Sequence, residues 1–327
     1  MIVLSRKFQD VELPNVSIGI EGWFTVELIH AATGLIKQRL RFKNIITNAG
    51  FDAMGNASFI LSTAVNYIAV GTGSSTPTVL QTALDAELGR TNNNNSTADV
   101  ITAGPANAYW SLVRTRQFLQ AEVNGNLTEL GFFNTNPAGT MWNRQLFKVA
   151  GVPTTIVKTS ADFLRITYEY RIYSPSADIS NTVTISGVGY PYTIRAININ
   201  QANTWGFDGS SSGPLNGFGQ PWPQLSQAYE SNVLVSQTGG NPSGTPQTDS
   251  SRAASAYTNG SFQRAISHTY GTATGNFTTG IGSIVLNGRY AGGAILPAFQ
   301  CAFTTTKLPK DNTKQLVFNS TFSWAAV

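Results

Sequence analysis

Charge is what this 327-residue sequence has least of. Asp, Glu, Lys and Arg make up only 12% of it, about half the share usual in a soluble domain. The formal net charge of +4 comes without the basic runs that bind phosphate backbones, which sets nucleic acid aside as a partner. A single cysteine, Cys301, excludes an intrachain disulfide, and two histidines, His30 and His268, cannot complete a cysteine–histidine zinc site. These counts fit folding in a reducing cytosol and imply no metal or other cofactor. No apolar run approaches the roughly 20 residues of a membrane span. The opening MIVLSRKFQDVELP is interrupted at Arg6 and Lys7, too soon for a secretory core.

Aromatic and turn-forming residues are plentiful. Aromatics reach 11%, with six Trp, and there are 31 Gly, so the chain has apolar area to bury and is not disordered. Thr, Asn, Gly and aromatics together favour strands joined by tight turns. The composition predicts an all-β protein with a few short helices: an antiparallel β-sandwich, jelly-roll-like, followed by a loop-rich second β region.

Alternation locates the strands. Between Phe163 and Tyr173, Leu164, Ile166, Tyr168, Tyr170 and Ile172 share one face, with Arg165, Thr167, Glu169 and Arg171 on the other; a strict period of two marks a half-buried antiparallel strand. Ile36, Gln38, Leu40 and Phe42 alternate with Lys37, Arg39, Arg41 and Lys43, and Thr33-Gly34 marks a hairpin turn from the preceding Phe24–Leu28 strand. Further strands are expected at 67–71, 109–119, 127–133, 141–147, 182–185, 192–199, 281–286 and 315–324. Helix signals are few. Asn48 can cap a short helix through Phe59, and Thr76-Pro77 places a cap before a proline with apolar Val79, Leu80, Ala83 and Leu84 following.

The charge is also uneven. Residues 1–178 carry 14 Lys/Arg and 13 Asp/Glu, whereas 179–327 carry 7 and 4, along with the low-complexity stretches 206–219 and 236–251. A boundary is expected at 175: a sandwich module over 1–175 and a low-charge, loop-rich β domain over 176–327, whose last strand, 315–325, packs back on the first module. The lead-in to that strand, Thr305-Thr306-Lys307 to Leu316, echoes Val157-Lys158-Thr159 to Leu164. Duplication explains the echo, and so does simple recurrence of a common strand type.

Catalytic chemistry finds little purchase. His30 lies in an alternating strand, and His268 has no acidic residue closer in sequence than Asp249. Asp85 and Glu87 read as a solvated helix end, and Glu129 and Glu169 as the solvated face of strands. Val70-Gly71-Thr72-Gly73 lacks the lysine a phosphate loop needs and reads as a turn. The row Lys37, Arg39, Arg41 and Lys43 is the one charge cluster of note; it suits an exposed strand protected against stacking, a contact with an acidic partner protein or, as the least favoured reading, a phosphate backbone. Trp205, Trp222 and Trp324 complete the candidate interface residues, the first two in loops suited to subunit packing or to stacking on sugar rings.

Several segments, in order, resemble tail and virion structural proteins of tailed bacteriophages. They are Phe42–Phe51 (FKNIITNAGF), Tyr67–Pro77 (YIAVGTGSSTP), Ala83–Arg90 (ALDAELGR), Leu127–Asn134 (LTELGFFN), Gly139–Phe147 (GTMWNRQLF), Ile156–Tyr168 and the closing Leu316–Trp324 (LVFNSTFSW). The resemblance spans about Gly22–Tyr173 and the last ten or so residues. It implies a non-enzymatic virion component of tail, collar, baseplate or fibre, assembled in the bacterial host cytoplasm from copies of itself and other virion proteins. The alternative is a receptor- or carbohydrate-binding tail protein that meets a host-surface glycan.

Overall fold

The computed structural model describes residues 7–55, 64–102, 109–200, 225–289 and 295–327. The protein is all-β, and α1 (Asn48–Gly55) is the one helix among the described residues. The strands are β1 (Lys7–Glu12), β2 (Val16–His30), β3 (Ile36–Lys43), β4 (Ile45–Ile46), β5 (Tyr67–Gly71), β6 (Glu87–Thr91), β7 (Asn94–Thr102) and β8 (Tyr109–Phe118). Next come β9 (Gly125–Leu127), β10 (Glu129–Phe133), β11 (Asn143–Leu146), β12 (Lys148–Val149), β13 (Val152–Pro153), β14 (Ile156–Lys158), β15 (Asp162–Tyr173) and β16 (Ile179–Ile185). The chain continues with β17 (Val188–Ala196), β18 (Leu225–Tyr229), β19 (Gln247–Thr248), β20 (Ser251–Ala254), β21 (Gln263–Tyr270), β22 (Ser283–Arg289), β23 (Ile295–Ala302) and β24 (Lys314–Ala326).

These residues form two compact units. The first comprises the described residues within 20–102, 110–172 and 325–327; the second takes those within 7–19, 109 and 173–324. Residues 7–12 join the second unit because β1 pairs in parallel with β24, from Lys7 opposite Lys314 to Glu12 opposite Asn319.

In the first unit one sheet runs β2-β15-β8-β7, with β3 beside β2, and the other runs β4-β11-β10-β5-β6. Alternation drives their packing: the inward residues of β15 are fully buried, while its outward ones are half-buried. Phe24 of β2 stacks on Phe132 of β10 at 6.1 Å, and Tyr168 lies 5.1 and 5.2 Å from the two rings. Burying aromatic rings of this size from both sheets is the main stabilising term of such a core. Tyr168 keeps its hydroxyl partnered inside: Trp142 Nε1 donates at 3.3 Å and Asn44 Nδ2 at 3.4 Å. Burial pushes that phenol up to about 12, so it stays protonated.

The second unit repeats the plan of the first. Its sheets run β1-β24-β21-β20 and β16-β17-β23-β22-β18-β19. Thus β17, β23, β22, β18 and β19 stand to one another as β4, β11, β10, β5 and β6 do, and β24-β21-β20 as β15-β8-β7. Backbone hydrogen bonds match. Thr128 N donates to Gly71 O at 2.9 Å and Phe147 N to Thr128 O at 2.9 Å; Gly282 N donates to Tyr229 O at 2.9 Å and Phe303 N to Gly282 O at 2.8 Å. Side chains match as well. Thr115 bonds Thr167 across β8–β15, and Ser267 bonds Asn319 across β21–β24. Lys158 Nζ donates to Leu119 O, Gln120 O and Asn124 Oδ1, and Lys310 Nζ to Gly271 O, Asp311 O and Asn276 Oδ1. One sequence interval separates Lys158 from Lys310, Leu119 from Gly271, Asn124 from Asn276 and Thr115 from Ser267. The lysine equivalent to Lys158 is therefore Lys310, not the Lys307 suggested by the sequence echo.

The expected helix after Thr76-Pro77 is absent: residues 72–86 form a loop, and Glu87–Thr91 is a strand. Side chains from neighbouring strands bind the loop's backbone groups and hold it as a loop. The expected helix forms over Asn48–Gly55, its further extent to Phe59 lying outside the described residues, and its cap is Thr47 rather than Asn48: Thr47 Oγ1 accepts Gly50 N–H at 3.0 Å. Of the low-complexity stretches, 206–219 lies outside the described residues, and 236–251 carries β19 and the start of β20.

Candidate functional site

The cation row of β3 lies on the outward face of the first unit, but it is not a free basic patch. Lys37 pairs with Asp162 at 2.9 Å, Arg39 with Glu27 at 3.6 Å, Arg41 with Glu169 at 2.8 Å and Lys43 with Glu21 at 3.0 Å. The register explains the match, because β2 sets Glu27 opposite Arg39 and β15 lies on the far side of β2. Arg165 and Arg171 of β15 extend the lattice to Glu27, Glu21 and Glu169. Trp23 lies between the guanidiniums of Arg41 and Arg171, at 5.3 and 5.7 Å from its ring. Burial opposes ionisation of Glu169, but hydrogen bonds from Arg171 and Arg41 outweigh it and hold the carboxyl below its usual value. Asp162 is held low in the same way, by Thr159 and Lys37 against its burial. Six cations beside the partly exposed Glu21, Glu27 and Glu169, with Asp162 buried beneath, leave a face of mixed sign, which suits a complementary protein surface better than a phosphate backbone.

A second constellation is fully buried. Glu129 on β10 and Arg144 on β11 are both 0% exposed and meet at 2.7 Å. Glu129 Oε1 accepts the backbone N–H of Gly73 and Ala86 at 3.0 and 2.8 Å, and Oε2 accepts that of Asp85 at 3.1 Å. Arg144 donates onward to Ser75 O, Gln81 Oε1 and Asp85 Oδ2. The side-chain hydrogen bond from Ser75 lowers the Asp85 carboxyl below its usual value, burial opposes it, and Arg144 reinforces it. The expectation that Glu129 and Asp85 sit on solvated faces is corrected for Glu129. Loop 72–86 covers the outer side of β10, and Leu84 packs there with Ala69, Phe133 and Met141. A buried ion pair contributes little net stability when complete, yet losing one partner costs about 3–5 kcal/mol. This pair therefore acts as a clamp on the loop. Gly73 is required at its contact, since a Cβ there would lie 2.3 Å from Glu129 Oε1.

The two histidines are structural. His30 Nδ1 contacts Thr33 Oγ1 at 3.0 Å in the hairpin turn. His268, 0% exposed, meets Asp249 Oδ2 at 2.6 Å, the same oxygen that accepts Ser226 N–H, and Tyr270 donates to Ser226 Oγ at 2.8 Å. A nucleophilic triad needs the histidine between serine and carboxylate; here the carboxylate stands between, and Ser226 is 0% exposed. Sequence spacing does not show this pairing. Cys301 is buried, and burial pushes its thiol up, away from the reactive thiolate. Among the described residues no group of three or more His, Cys, Asp or Glu is placed to hold a metal ion, and no helix is long and apolar enough to cross a membrane.

Trp324, expected at an interface, is instead a core residue of the second unit: it is 1% exposed and stacks on Tyr257 at 5.7 Å. Strand alternation places it inward with Leu316, Phe318 and Phe322. Trp205 and Trp222 lie outside the described residues. Comparison with known proteins gives no matching family model, no matching curated protein and no matching solved structure.

Proposed function

We propose that this chain is a structural component of a tailed-phage virion, in the tail or neck, assembling with copies of itself and with other virion proteins. One observation carries the reading. Gly73, Asp85, Glu129 and Arg144 come from four of the segments that resemble such proteins, and one buried clamp joins all four. The motifs are thus parts of a single structural device, with no substrate-accessible chemistry at its centre. The low charge supports the same role, since uncharged surface is cheaper to desolvate in an assembly than charged surface. The outward face of β3 is a second surface we assign to a neighbouring subunit, one whose charges set pairing specificity rather than cheap desolvation. Arg39 and Arg41 keep 67% and 51% of their side chains exposed, and a neighbour of mixed sign can exchange pairs with them.

Light scattering on the purified chain, together with antibody labelling of purified particles, tests the proposal. A multimeric chain present in the particle is expected. A strictly monomeric chain that is also missing from particles overturns it.

A further inference from the structure

We propose that the second unit carries a binding pocket for a neutral, polyhydroxylated ligand, a pyranose of the kind that makes up surface glycans. The cavity measures about 600 Å³ and is lined by Ser176, Asp178, Arg195, Ser236, Gln237 and Thr238. The inference does not depend on the virion reading, and it uses neither Trp205 nor Trp222.

The lining defines the ligand by exclusion. All six side chains carry polar groups, and the carbon stems between those groups offer the apolar face of a sugar ring a surface to lie on. The two charges cancel: Arg195 Nε and Nη2 donate to Asp178 Oδ1 and Oδ2 at 2.9 and 2.7 Å. An anion would meet the Asp178 carboxylate, and a cation the Arg195 guanidinium. What is left is an array of neutral hydrogen-bonding groups. The hydroxyls of Ser176, Ser236 and Thr238 have no hydrogen-bond partner among the described residues, and two of the five guanidinium N–H groups of Arg195 are likewise unused. Planar carboxylate, guanidinium and amide groups beside free hydroxyls match the vicinal hydroxyls of a sugar ring.

The wall is fixed in place. Segment 233–239 is strapped across the sheet: Gln300, 0% exposed, donates to Val233 O at 2.8 Å and accepts Val235 N–H at 2.9 Å. Arg195 Nη1 donates to Val235 O at 2.9 Å, Ile199 N to Gln237 O at 3.0 Å, and Asn198 N to Gly239 O at 3.0 Å. Gln237 Nε2 ties the segment to Ser176 O at 2.8 Å. A ligand entering a wall tied down in this way meets groups already ordered, which lowers the entropic cost of binding.

The internal repeat shows that the pocket is not required by the fold. The first unit has the equivalent strap in loop 72–86, held by the equivalent residue: Arg144 donates to Ser75 O as Gln300 does to Val233 O. Asn48 N donates to Val79 O as Asn198 N does to Gly239 O. By strand register, Ile45 stands where the second unit has Arg195, because Ile45 pairs with Arg144 and Arg195 with Gln300. Ile45 can neither grip a carboxylate nor donate to a ligand. Glu21 corresponds to Asp178, because Trp23 pairs with Lys43 as Ser180 pairs with Thr193, and it is engaged by Lys43 and Arg171 instead. The Asp178–Arg195 pair is thus an addition to a scaffold that folds without it in the other copy.

The test is saturation-transfer NMR on the full chain with methyl pyranosides of glucose, galactose and N-acetylglucosamine, and with glucuronate and inorganic phosphate as charged arms. Transfer to at least one neutral pyranoside is expected, with affinity weakened about tenfold in Ser236→Ala/Thr238→Val, as loss of direct hydrogen bonds to the ligand requires. Asp178→Asn gives a second reading if the double variant fails to fold. No transfer to any neutral pyranoside at roughly 50 mM, where a millimolar site is filled, overturns the proposal. A preference for phosphate or glucuronate, or binding unchanged in the variants, does so too. A positive result in a chain that is strictly monomeric and missing from virions would remove the assembly role and leave this site standing.

Discussion

Replacing Arg144 with methionine is the most direct probe of the clamp. The substitution keeps an unbranched side chain of similar length and removes every guanidinium bond: two to Glu129, and those to Ser75, Gln81 and Asp85. Glu129 then remains at 0% exposure with three backbone N–H donors and no counter-charge. Those donors place the expected loss at the lower end of the range for a broken buried pair, about 3 kcal/mol. At 1.4 kcal/mol per factor of ten, that is an increase of about 150-fold in the opening of the loop. Peptide-resolved hydrogen exchange over residues 72–91 reads it directly, at the amides of Gly73, Asp85 and Ala86. Arg39→Ala serves as the contrast: its side chain is 67% exposed and its Glu27 contact is 3.6 Å long, so less than about 0.5 kcal/mol should be lost. Equal, small effects from the two substitutions would refute the claim that burial decides the weight of an ion pair here. A change in exchange confined to residues outside 72–91 would refute the assignment of Arg144 to this loop.

Other expectations follow from the same geometry. Gly73→Ala forces a methyl to within 2.4 Å of Asp85 Cβ, so a fall in thermal midpoint of several degrees is expected, and an unchanged midpoint would show that the loop can give way. Asp162, Glu169 and Asp85 have carboxyls held below their usual values of 3.8, 4.5 and 3.8. Stability from these groups is therefore fully present above those values and is lost as pH falls through the lower folded-state values. Urea midpoints measured from pH 6 to pH 3 should fall mainly below about pH 4.5, and a flat profile would count against these contacts. Lys158→Met and Lys310→Met should each cost about 1–3 kcal/mol by orphaning two carbonyls and an Asn Oδ1. Hydrogen exchange should place the first loss in the first unit and the second in the second. Loss of protection in the same unit from both substitutions would contradict the repeat.

Local pattern alone decided much of the fold. The period-two alternation of β2, β3, β15 and β24 fixed which side chains face inward, and Trp324 follows that parity into the core. The row Lys37, Arg39, Arg41 and Lys43 was equally legible as an outward face. Its neutralisation was legible only in part: Glu21 and Glu27 lie across the β2–β3 hairpin, but Asp162 and Glu169 reach it from β15, distant in sequence. The lysine-bearing lead-ins to Leu164 and Leu316 hinted at a repeat, but only the hydrogen bonds of Lys158 and Lys310 identified which lysines correspond.

Tertiary structure alone decided the rest. Glu129 sits in a strand buried on both sides, and no periodicity distinguishes a carboxylate under a loop from one in water. Loop 72–86 had the cap, proline and apolar spacing of a helix, yet Glu129 and Arg144 take up its backbone groups from outside and hold it as a loop. The Asp178–Arg195 pair had no sequence signature, because it depends on the register of two strands. Sequence determined what each residue prefers nearby; the fold determined which distant partner satisfied it, and at a buried polar group the partner sets the energy.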